Sequence, residues 1–176
     1  MPNILLISKD LHNEASELLL ASRLLKRLED FGETYVTGSF KYDLMTVPDI
    51  DIYVALDDYS RSTAVSIHNQ LISDDWWNGF AFFDWSQDRF RLPKWQWLPT
   101  GYYLKLNADF GKHRWKIDVW LMNRQEFAKR QALEPDLVNL SSEQRSRILQ
   151  LKTDNRQQND NTTSHDIYNK VINSVD

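Results

Sequence analysis

The chain has 176 residues, 41% of them hydrophobic and 26% charged, with a formal net charge of -4 and a pI of about 5.6. One domain with a sizeable core is expected, and the acidic balance argues against nucleic acid as the main partner. The absence of cysteine excludes disulfides and thiolate zinc sites, and no apolar run reaches the roughly 18 residues of a membrane span.

The start, "MPNILLISKD", has only a short apolar run and no basic lead, so no signal peptide is expected and the location predicted is cytoplasmic. Residues 12 to 31 read as an amphipathic helix, with Leu18, Ala21, Leu25, Leu28 and Phe31 at three- and four-residue steps and Gly32 as its stop. "ETYVTGS" is a short β-rich run. "PDIDIYVAL" alternates, with Ile50, Ile52, Val54 and Leu56 on one face and Asp49, Asp51 and Tyr53 on the other. Residues 61 to 73 predict a second helix carrying Ala64, Val65, His68, Leu71 and Ile72 on one side.

The segment from 74 to 100 is rich in tryptophan, holding five of the seven in the chain: Trp76, Trp77, Trp85, Trp95 and Trp97. It predicts a strand near 79 to 85 and then a loop broken by Pro93 and Pro99. "GYYLKLNAD", the turn "FGKH" and "RWKIDVWLMN" read as a β-hairpin. Helices are expected over 124–133 and over 141–152, the second capped by Ser141 or Ser142. "TDNRQQNDNTTS" is a polar linker or loop before a short last helix capped by Ser164. The domain reading is therefore 1–152 for the main unit and 153–176 for a linker and C-terminal helix.

Residues two apart on a strand point the same way, about 6.5–7 Å apart at Cα. Asp49 and Asp51 then project side by side and repel unless a cation sits between them. Magnesium takes hard oxygen ligands and suits such a pair. Gly38 allows close backbone approach, and Ser39 beside it offers a hydroxyl and an N–H to a phosphate. In "KIDVW", Asp118 shares a face with Lys116 and Trp120, while Ile117, Val119 and Leu121 face the core. If the two strands are neighbours, three carboxylates converge, as a two-metal site requires. Metal beside phosphate is the chemistry of phosphoryl or nucleotidyl transfer.

"VTGS" followed by "DIDI", with a later strand bearing a lone acid, resembles the DNA polymerase β-type nucleotidyltransferase superfamily, as found in small bacterial nucleotidyltransferase-like proteins. The resemblance covers about residues 12 to 122 and implies an α+β fold: a mixed sheet flanked by helices, here with a Trp-rich insertion. It implies that Gly38 and Ser39 hold a nucleoside triphosphate such as ATP, and that Asp49 and Asp51 ligate two Mg2+ ions. Asp118 would bind the catalytic ion and help activate an acceptor hydroxyl. Where many relatives carry Arg-Gly after Gly-Ser, this chain has Tyr42-Asp43.

Among the basic residues, Lys41 can pair with Asp43, and Lys116 is the best placed of Lys112, His113, Arg114 and Lys116 to neutralise phosphate. Most tryptophans are expected in a satellite core. Trp95, Trp97, Tyr102 and Tyr103 are the candidates for an aromatic wall against an acceptor. The function expected is transfer of a nucleoside monophosphate to a hydroxyl on a small molecule or a protein. The alternatives are a catalytically inactive, antitoxin-like binding protein of the same fold and, last, a polymerase-like enzyme acting on nucleic acid.

Overall fold

The computed structural model describes residues 3–87, 89, 92–93, 97–158, 160 and 162–173. Helices α1 (Ile4–Ser22) and α2 (Leu24–Glu29) come first, then β1 (Gly32–Thr37), a single-turn α3 (Gly38–Lys41) and β2 (Asp49–Leu56). Next follow α4 (Arg61–Ile72), β3 (Gly79–Trp85), β4 (Gly101–Phe110) and β5 (His113–Met122), and finally α5 (Arg124–Ala132), α6 (Ser142–Gln158) and α7 (Ser164–Ile172).

The sheet is mixed, in the order β1-β2-β5-β4-β3. All its pairings are antiparallel except β2 with β5, which run parallel with Asp51 opposite Asp118. The alternation expected of β2 and β5 holds. Ile50, Ile52, Val54, Ile117, Val119 and Leu121 are buried in one core with Leu18, Leu24 and Leu28 of α1 and α2 and Ala64, Ile67 and Leu71 of α4. Each large aliphatic side chain buried in this way contributes about 1.5–3 kcal/mol. The opposite face of the sheet carries the acids, and beside them Trp85, Trp120, Met122 and Phe127 of α5 form a separate cluster.

Several local readings shift. The first helix begins at Ile4, where Asn3 accepts a hydrogen bond from the Leu5 N–H, and it breaks at Arg23, whose φ is 55°. In α1 the inward stripe is Leu11, Ala15, Leu18 and Leu19, and Ala21 is exposed. In α4 the inward stripe is Ala64, Ile67 and Leu71, and Val65 faces solvent. Helix α6 starts at a reciprocal cap between Ser141 and Gln144 and runs to Gln158. The predicted linker from 153 therefore begins inside a helix.

Helices α6 and α7 pack around Tyr42 and Leu44 through Ile148, Leu149, Ile167, Tyr168 and Val171. This second core fixes both helices beside the Gly38–Ser39 turn. Among the described residues, no helix is long and apolar enough to cross a membrane.

Candidate active site

The parallel pairing of β2 and β5 brings the three predicted acids together. One carboxylate oxygen from each of Asp49, Asp51 and Asp118 lies within 4.8 Å of the others. Burial first, then the charges of Asp49 and Asp118, push Asp51 up to about 7. Burial also raises Asp49, against the pull of Lys116. Its Oδ1 is buried with no hydrogen-bond partner among the described residues, an orphan that a cation would satisfy. The donor set is all hard oxygen, which fits magnesium.

Gly38 closes one side of this site. Its φ is 69°, and a Cβ there would lie 3.1 Å from Asp51 Cγ and closer still to Oδ2. Only glycine combines that backbone angle with that approach. Asp118 is held at both oxygens, with Oδ1 accepting from the Tyr103 hydroxyl at 2.8 Å and Oδ2 from Lys116 Nζ at 3.0 Å. Burial and then Asp118 hold the Tyr103 phenol far above its usual pKa, so it remains a donor. Burial opposes the charge on Lys116, but Asp49 and Asp118 outweigh it and keep the amine protonated.

Ser39 meets a residue that the sequence reading missed. Lys152 Nζ donates to Ser39 Oγ and to the Leu44 carbonyl, both at 2.7 Å, and to Tyr168 Oη at 3.3 Å. Burial, reinforced by Arg156, lowers this lysine to about 8. The signal in the sequence was a lysine three and four residues beyond Leu149 and Ile148, on the buried stripe of α6. A cleft of about 420 Å³ runs past Lys152, Arg156 and Ser164. A second, of about 270 Å³, is lined by Gly38, Ser39, Asp51, Tyr53 and Arg130 and also reaches Ser164. A larger hollow, about 990 Å³, is an open depression along α4 lined by Arg27, Arg61 and Asn69, away from the acids.

Not every predicted residue joins the site. Lys41 is engaged by Glu134, at 2.6 Å. Glu134, also missed, further accepts from Tyr35, Thr37 and Tyr42, and against its burial Lys41 first, then these hydroxyls, lower its pKa. Tyr42 is thus a buried tie between the Gly-Ser turn and the segment after α5. Asp43, its neighbour, is exposed.

Of the described residues of the aromatic wall, Tyr103 touches the site, stacking on Trp85 and Trp120 with centroids 5.2 and 4.8 Å away. Tyr102, one residue earlier, points through the sheet into the core beside Tyr59 and Phe82. Trp97 is 68% exposed, its carbonyl bound by Arg130, and Trp95 lies outside the described residues.

The fold is similar to that of the Cid1 poly(U) polymerase, solved with magnesium and 3′-dATP bound, at a TM-score of 0.61 and 20% identity over 92% of this chain and 47% of that one. A cytoplasmic RNA terminal U-transferase matches at a TM-score of 0.57 and 19% identity, over 98% of this chain and 52% of its own. The chain thus spans about half the length of each. No family model and no curated protein matches the sequence. What the likeness establishes is the nucleotidyltransferase fold, and with it the α+β class expected from the sequence.

Proposed function

We propose that the protein is a magnesium-dependent nucleotidyltransferase that moves a nucleoside monophosphate from a nucleoside triphosphate to an acceptor hydroxyl. The observation that carries this reading is the convergence of Asp49, Asp51 and Asp118 beside the Ser39–Lys152 pair. Carboxylates for metal and a buried ammonium for phosphate stand side by side, as in-line displacement at phosphorus requires.

In this reading Asp49, Asp51 and Asp118 hold Mg2+, which when bound polarises the reacting phosphate. Ser39, Lys152 and Arg156 bind the triphosphate, with the donor nucleoside in the cleft lined by Tyr53 and Arg130. Asp118 accepts the proton of the acceptor hydroxyl as its oxygen bonds to the α-phosphorus. The bond from that phosphorus to the bridging oxygen of the β-phosphate breaks, and pyrophosphate leaves along Lys152. The acceptor is a small molecule or a protein side chain, because the formal net charge of -4 does not favour a nucleic-acid backbone.

Calorimetry of the full chain with each of the four nucleoside triphosphates, in magnesium and in chelator, tests this. One triphosphate should bind in magnesium only, and Asp49→Ala and Asp118→Ala should each weaken it about tenfold or more. Equal binding by the parent and both variants refutes it. A folded protein that binds none of the four is instead the inactive binding protein, a reading favoured by Tyr42-Asp43 at the Arg-Gly position.

A further inference from the structure

Lys116 stands opposite Asp49 in the β2–β5 pairing and two residues before Asp118, on the same face. Its ammonium is 3.0 Å from Asp49 Oδ2 and 3.0 Å from Asp118 Oδ2. It therefore bridges two of the three clustered carboxylates. Tyr103 fixes the other oxygen of Asp118, so the bridged oxygen has one place to be. The lysine supplies there the positive charge that the acids need.

A divalent cation cannot share that place. Mg2+ draws its oxygen ligands to about 2.0–2.1 Å, and an ammonium 3.0 Å from an oxygen of each of these two carboxylates repels a cation placed between them. Lysine reaches the acids on a flexible four-carbon stem, and its side chain is 38% exposed, so it has room to swing away.

Building on the proposed metal site, we propose that Lys116 is a tethered counter-ion of the free protein, and that a divalent cation enters between Asp49 and Asp118 by displacing it. The lysine keeps the acid cluster folded and neutralised before metal arrives. It also weakens the intrinsic affinity of the site for metal.

The test is Mn2+ binding to the full chain without nucleotide, followed by calorimetry, and melting in chelator and in saturating Mn2+. Lys116→Met keeps the apolar stem and removes the charge. It should bind Mn2+ about tenfold tighter than the parent or more, melt lower than the parent in chelator, and gain more on adding Mn2+. Lys116→Arg keeps the charge and should bind Mn2+ no tighter than the parent. Affinity in Lys116→Met equal to or below that of the parent overturns the displacement, as does an arginine variant as tight as the methionine one. If neither the parent nor Lys116→Met binds Mn2+, the acids are not a metal site, and the proposed transferase falls together with this role.

Discussion

Replacing Gly38 with alanine probes the tightest contact in the site. Alanine at a φ of 69° adopts a left-handed backbone that costs an L-residue about 1–2 kcal/mol. Its Cβ would lie 3.1 Å from Asp51 Cγ, against 3.4 Å or more for ordinary contact, and closer to Oδ2. The carboxylate must turn away, and Asp49 and Asp118 restrict where it can go. Moving it off its rotamer adds about 1 kcal/mol. A total near 2–3 kcal/mol corresponds to a fall of about 4–12 °C in melting temperature for a domain of this size. Mn2+ affinity should fall about tenfold or more, because the displaced oxygen is a proposed ligand. Differential scanning calorimetry and Mn2+ titration read the two effects. Melting within about 1 °C of the parent, with Mn2+ affinity unchanged, would refute the argument that Gly38 exists to admit Asp51.

Lys152 gives a pH dependence. Its pKa is lowered to about 8 in the fold, so between that value and the ordinary lysine value near 10.4 the unfolded chain binds more protons. Its contribution to stability therefore rises with pH across that window. Triphosphate binding moves the opposite way, weakening above pH 8 as the ammonium is lost, and Lys152→Met should flatten that slope in calorimetric titrations at pH 7 to 9.5. A slope that survives the substitution places the titrating group elsewhere. Tyr103→Phe keeps the stack on Trp85 and Trp120 and removes the donor to Asp118. It should cost about 1 kcal/mol and lower kcat with little change in the KM for nucleotide, whereas a purely structural tyrosine would leave the kcat to KM balance unmoved.

What the sequence determined by itself was local and periodic. Alternation assigned Asp49 and Asp51 to one face of β2, and Asp118 and Lys116 to one face of β5, because successive side chains on a strand point to opposite sides. The Gly-Ser pair marked a turn because glycine alone adopts its backbone angle at low cost. Sequence periodicity cannot say which strands are neighbours. Only the parallel pairing of β2 with β5 sets Asp51 against Asp118 and delivers Lys116 to Asp49. Tyr102 and Tyr103 looked equivalent as candidates, and the registry of β4 sends one into the core and the other to Asp118. Lys152 and Glu134 lie 113 and 97 residues from the partners they bind at the Gly-Ser turn, Ser39 and Thr37. Their roles arise from packing α6, α7 and the end of α5 against that turn, a long-range choice made by the second hydrophobic core.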